Sequence, residues 1–275
     1  FEVKQNGAGL IRRDKDSLVA SFDPQVPVCI VVHGSYITNQ SVDKDTFRTF
    51  QWLRTAGGDR PMHFVYFTWP SEGIFTLDPS NGTTSALPQL DIAILGQRAD
   101  YNAFYLARLI HMIPKDHEIC LIGHSHGART VVAAMNLMDG GHVQGFRVHR
   151  DWLTEHRINV VLAAAAIDHD WLNPGRRFGR ALQRTDRLLV FKNTRDLALS
   201  IYPLRRPFSA SALGMTGFRL EDRRQLGALN DKIGEVDVTD LLQSKHLWTH
   251  YYQFDAITHE LIPYIHVSSE DTSEE

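Results

Sequence analysis

A mostly parallel β-sheet with helices on both faces is the fold class this sequence predicts, and three observations predict it. Short β-branched apolar runs alternate with longer segments of helical period. The central runs are apolar at nearly every position, as strands covered on both faces must be. The chain has 275 residues, 43% hydrophobic and 22% charged, which supplies a core for one large domain. That domain is expected over 1–267, with loop excursions near 71–88 and 203–230 and an acidic tail at 268–275 predicted to be disordered.

Strands are expected at 17–22, 28–32, 63–69, 118–122, 159–167, 187–192 and 235–238. The segment 42–56 reads as a helix closed by Gly57 and Gly58, since glycine tolerates the positive φ of a helix end. At 89–113 the apolar residues Ala99, Ala103, Leu106, Ile110 and Ile113 recur at three and four spacing, and Pro114 ends the helix they mark. A helix over 126–138 follows the 118–122 strand directly and stops at Gly140 and Gly141, and a last helix is expected over 239–253.

Composition excludes several classes of function. A formal net charge of −3 is too small to hold nucleic acid by bulk field, so no nucleic-acid partner is expected. The longest apolar run, 160–167, has eight residues, against the roughly 18 a membrane span needs. Cys29 and Cys120 each lie inside an apolar run and read as two buried free thiols. The first residue is Phe1 and no charged-then-apolar leader follows, so localisation stays open between the cytoplasm and export with a removed leader.

Chemistry concentrates in Gly123-His124-Ser125-His126-Gly127. It fits G-x-S-x-G, in which small flanking residues let a strand turn abruptly into a helix and hold a serine exposed at the bend. The strand before it and the helix after it are the context such a bend requires. Upstream, the 28–32 strand runs into His33-Gly34-Ser35-Tyr36, where backbone N–H groups can face a developing oxyanion. Ser35 is the expected donor from this loop, and the N–H of His126, at a helix N-terminus, is the expected second donor.

A serine hydroxyl needs a histidine to take its proton, and that histidine needs a carboxylate to fix its tautomer. Asp196 is the preferred acid because it follows the 187–192 strand at the sheet edge where catalytic groups collect, with Asp168 and Asp170 as rivals after the preceding strand. Of 14 histidines, only His246, His250, His259 and His266 lie beyond the last expected strand. His250 is preferred over His246 as the base, and a base of ordinary pKa predicts activity falling below about pH 6.5.

The chain resembles the α/β-hydrolase superfamily, and more narrowly a bacterial branch of α/β hydrolases of unknown function. The resemblance rests on Val31-Val32-His33-Gly34, Phe67-Thr68-Trp69-Pro70-Ser71-Glu72-Gly73, Ile122-Gly123-His124-Ser125-His126-Gly127, Asn193-Thr194-Arg195-Asp196-Leu197-Ala198-Leu199 and His250-Tyr251-Tyr252, and spans about 26–254. It implies an α/β-hydrolase fold and a triad falling on Ser125, Asp196 and His250. His126 departs from the pattern, standing where many relatives carry Met or another apolar residue, and the 203–230 insert does not align.

From Arg176 to Arg224 twelve basic residues face four acidic ones, a net +8 that leaves −11 for the rest of the chain. This stretch either spreads positive potential over the catalytic face, drawing acidic or lipid-like substrates, or pairs with acidic neighbours as a solvated surface. The combined expectation is a serine hydrolase of carboxylic esters, acting on a small-molecule ester through an acyl-enzyme, with no cofactor and no metal. Its alternatives are a non-catalytic binding protein on the same fold and an acyltransferase with the same triad.

Overall fold

The computed structural model describes residues 2–3, 10–11, 14–38, 41–75, 85–152 and 156–266. The tail expected at 268–275 and the centre of the 71–88 loop lie outside the described residues. Two short strands, β1 (Glu2–Val3) and β2 (Leu10–Ile11), pair antiparallel. The main sheet holds β3 (Val28–Val32), β4 (His63–Phe67), β5 (Ile119–His124), β6 (Ile158–Ala163), β7 (Arg187–Lys192) and β8 (Ile233–Asp237), all parallel in the order β4-β3-β5-β6-β7-β8. The helices are α1 (Lys15–Ala20), α2 (Val42–Ala56), α3 (Pro88–Met112), α4 (His126–Met138), α5 (Leu197–Ser200), α6 (Leu213–Thr216), α7 (Leu220–Leu226), α8 (Thr239–Leu242), α9 (Trp248–Tyr251) and α10 (Asp255–Ile265).

Successive strand residues point to opposite faces, and the core divides accordingly. Val28, Ile30 and Val32 of β3 pack with Leu121 and Leu162 against α3 and α4. Cys29 and Val31 pack with Cys120, Val161 and Phe191 against Leu53 of α2, Tyr251 of α9 and Ile257 and Leu261 of α10. Cys29 and Cys120 are register partners on adjacent strands, both buried and both unbridged.

Three expectations need correction. Residues 17–22 are not a strand: Asp14 Oδ1 accepts from Ser17 N (2.8 Å) and caps α1, a short helix whose Leu18 packs half-buried against the core. The apolar run 159–167 stops being strand at Ala163, because Ala164 takes φ 47° and turns the chain across the sheet edge. Residues 239–253 are two helices rather than one. Gln243 takes φ 53° after α8, and the Asn193 amide donates to the carbonyls of Gln243 (2.9 Å) and Lys245 (3.3 Å), pinning a loop between α8 and α9. Sequence reading also left α10 unassigned, although Ile257, Leu261 and Ile265 recur at helical spacing and are buried.

The 203–230 segment is part of the body of the fold. Leu213, Phe218 and Leu226 are buried in the α3/α4 core. Three of its arginines are in ion pairs: Arg205 and Arg206 both meet Asp168, and Arg223 meets Glu235.

Candidate active site

Strand β5 ends in the bend the glycine-serine motif predicts. Ser125 sits at φ 54°, ψ −120°, a strained conformation for a residue with a side chain, between β5 and the first residue of α4. The bend survives because the backbone is held on both sides: Ser125 N donates to Ala163 O (2.9 Å), and Ala166 N and Ala128 N donate to Ser125 O (3.2 and 3.1 Å). Gly127 is required by close approach, since a Cβ there would overlap the carbonyl of Val32.

Ser125 Oγ lies 3.1 Å from His246 Nε2, and His246 Nδ1 lies 2.8 Å from Asp196 Oδ2. An ionised carboxylate only accepts, so Nδ1 of His246 carries the proton and Nε2 turns its lone pair to the serine hydroxyl. Asp196 is fully buried, and its other oxygen accepts from Leu199 N (3.0 Å), capping α5 and fixing the carboxylate. The three residues come from the ends of β5 and β7 and from the pinned loop after α8.

The histidine between Ser125 and Asp196 is His246, one turn of chain before the His250 expected from sequence. His250 lies on α9, its ring makes no hydrogen bond to Ser125 or Asp196, and its Nδ1 is buried without a partner. The broken helix explains this: had 239–253 been continuous, His246 would have stayed on a helix flank, whereas the Asn193 amide holds 243–247 as a loop that delivers His246 to the serine. The run Gln243-Ser244-Lys245-His246 interrupts the apolar period of the segment, and that is the signal in the sequence for the break. The rival acids serve elsewhere. Asp168 accepts from Tyr202 Oη (3.1 Å), Arg206 (2.7 Å) and Arg205, and Asp170 meets Arg176 at 3.4 Å.

The 33–36 loop runs directly against the bend. A Cβ on Gly34 would fall 2.7 Å from His124 Nδ1 and 3.0 Å from Ser125 Cβ. His33 Nδ1 donates to Gly34 O (2.8 Å), Trp69 Nε1 donates to His33 O (2.9 Å), and the His33 ring stacks between Tyr66 and Trp69. Ser35 Oγ bonds His126 Nδ1 (2.7 Å), so the two residues expected to supply oxyanion N–H groups are tied to each other. His124 Nε2 donates to the carbonyl of His246 (2.8 Å), coupling the bend to the loop that carries the histidine. Burial holds these rings neutral, lowering His33 to about 4 and both His124 and His126 to about 3.

A cavity of about 540 Å³ opens onto Ser125, His246, Ser35 and His126. Among the described residues no three His, Cys, Asp or Glu side chains are grouped to hold a metal ion, and no helix is long and apolar enough to cross a membrane.

The family model described as "Alpha/beta hydrolase of unknown function (DUF900)" matches residues 15–263. No curated protein matches the sequence. Among solved structures, Zea mays acyl-protein thioesterase 2 is similar at 16% identity and a TM-score of 0.48, over 88% of this chain and 94% of that one. The catalytic core of acetyl xylan esterase from Trichoderma reesei follows at 13% identity and 0.44, over 87% and 97%. A lipase-esterase related protein from Clostridium acetobutylicum stands at 10% identity and 0.44, over 88% and 96%.

Proposed function

We propose, from the premise that the chain belongs to this family of α/β hydrolases, that it is a serine hydrolase acting on carboxylic esters with Ser125 as nucleophile, His246 as base and Asp196 as its orienting acid. The observation that carries the reading is the unbroken line of hydrogen bonds from Asp196 through His246 to Ser125 at the wall of an open cavity. As Ser125 Oγ attacks the ester carbonyl, its proton passes to His246 Nε2, and the carbonyl oxygen gains negative charge against the N–H groups of Ser35 and His126. Collapse breaks the bond to the alcohol oxygen, which takes the proton from His246. Water then repeats the sequence on the acyl-serine, giving up a proton to His246; the bond to Ser125 Oγ breaks, Oγ takes that proton back, and the acid is released.

A fluorophosphonate probe tests this, because it forms a stable adduct only with a hydroxyl activated in this way. Peptide mapping is expected to place the adduct on Ser125 and to find none in Ser125→Ala. Absence of labelling in the wild-type protein overturns the reading.

A further inference from the structure

The cavity beside Ser125 has two chemically different walls, on opposite sides of the sheet. One is built by α3 and by the segment from α5 to Tyr202. Ile92, Leu95, Ala166, Leu199 and Tyr202 line it, and Ile92 packs on the small cluster formed by Ala166, Leu199 and Tyr202. The Tyr202 hydroxyl is turned away onto Asp168 (3.1 Å), which leaves its ring to the cavity. This wall carries no charge.

The other wall is built by α2, the end of β4 and α9, and Ser41, Asp45, Arg48, Tyr66 and Thr249 line it. It is one continuous surface: Thr49 Oγ1 and Tyr252 Oη bond at 2.5 Å, and the Trp52 and Tyr252 rings stack with centroids 4.5 Å apart. Asp45 and Arg48 stand on the same helix, where Asp45 takes the Ser41 hydroxyl and feels the charge of the exposed Arg48, while among the described residues the Tyr66 hydroxyl makes no hydrogen bond. An acceptor, a charged donor and a hydroxyl thus face the same space. Together Asp45 and Arg48 are neutral, a balance that suits an uncharged ligand with several hydroxyls better than an anion.

Mechanism decides which part of an ester meets which wall, so the step rests on the serine-hydrolase reading above. The proton that His246 takes from Ser125 must end on the alcohol oxygen, and that oxygen must therefore come within hydrogen-bond reach of His246 Nε2. The chain continuing from His246 through Trp248 and Thr249 is part of the polar wall. The acyl substituent, attached to a carbonyl whose oxygen points at Ser35 and His126, is left the apolar side.

We infer that the substrate is an ester of an apolar acyl chain with a polyhydroxylic alcohol, the chain lying against Ile92, Leu95, Leu199 and Tyr202 and the alcohol against Asp45, Arg48 and Tyr66. A site whose polar groups are matched by a substrate hydroxyl discriminates strongly against an analogue lacking it, and an apolar wall rewards each added methylene.

The test measures two ratios of kcat/KM on the full chain. The first compares p-nitrophenyl hexanoate with the acetate; the second compares glyceryl monohexanoate with ethyl hexanoate. Both are expected to exceed about tenfold in the wild type. Ile92→Trp, which fills the apolar side, is expected to cut the first ratio by about tenfold and leave the second, with Leu199→Phe as its substitute should Ile92→Trp fail to fold. Asp45→Leu is expected to cut the second ratio by about tenfold and leave the first. Either ratio near one in the wild type, or variants that shift both ratios together, overturns the inference. A protein that labels with fluorophosphonate yet shows neither preference removes this inference and keeps the serine-hydrolase reading, whereas failure to label removes both.

Discussion

Among the described residues two histidines are paired with buried aspartates, and the two bonds are nearly the same length. His246 Nδ1 lies 2.8 Å from Asp196 Oδ2, and His169 Nδ1 lies 2.7 Å from Asp222 Oδ2. What surrounds them differs. The second ring nitrogen of His246 reaches Ser125 at a cavity wall, whereas among the described residues the ring of His169 bonds no serine hydroxyl. Asp222 spends its oxygens on structure, accepting from Asn173 Nδ2 (2.8 Å) and from Arg219 N (2.8 Å) at the start of α7. Asp196 caps a helix too, but a one-turn helix whose Leu199 lines the cavity. A histidine–carboxylate pair is therefore no marker of catalysis in itself; the group offered to the other nitrogen is.

Breaking the first pair is expected to cost activity, and breaking the second to cost stability. The largest effect falls on Ser125→Ala and His246→Ala, each lowering kcat on an active ester by about 10⁴-fold or more while the thermal melt stays cooperative. Asp196→Asn, which leaves the geometry but favours the wrong tautomer of His246, is expected to lower kcat by about 10³-fold to 10⁴-fold in the same assay.

Acid separates the two regions in another way. His33, His124 and His126, all packed around Ser125, are held neutral by burial with pKa values of about 4, 3 and 3. In the unfolded chain each titrates near 6.5, so between that value and the folded one the unfolded state binds more protons. The stability these rings contribute is fully present above about pH 6.5 and is lost as pH falls, by about 1.4 kcal/mol per pH unit for each ring. Urea unfolding at pH 7 and pH 5 is expected to show that loss, reduced by about 2 kcal/mol in His124→Gln.

On the other side of the comparison, Asp222→Ala leaves His169, Asn173 and the Arg219 N–H without their acceptor. It is expected to cost about 3 kcal/mol in urea unfolding and to leave fluorophosphonate labelling of the folded fraction intact. The smallest effect is expected for His250→Ala, within about threefold of wild-type kcat. A loss as large as that of His246→Ala would return the base to His250.

Much of the fold was legible because its signals are local. Strands β3 and β7 and helices α2 and α4 fall at the bounds their apolar patterns predict. Ser125 was legible because a strand, a glycine-flanked serine and a helix follow one another without a gap, and Asp196 because it stands just past a strand end. The first helix was misread because 17–22 offers apolar residues of mixed period, and the Asp14 cap outside that window decided the matter. The polar wall of the cavity was not visible at all, since Asp45 and Tyr66 lie on different elements and only the sheet order brings them to one space.

The amino-acid pattern by itself determined the parallel sheet and the bend at Ser125, because each depends on residues adjacent or periodic in sequence. The choice between His246 and His250 belonged to the tertiary structure. It turns on one amide, Asn193 at the end of β7, reaching two carbonyls 50 and 52 residues further along the chain. Helical propensity alone would run through that segment; a buried side chain with two acceptors to satisfy holds it open as a loop.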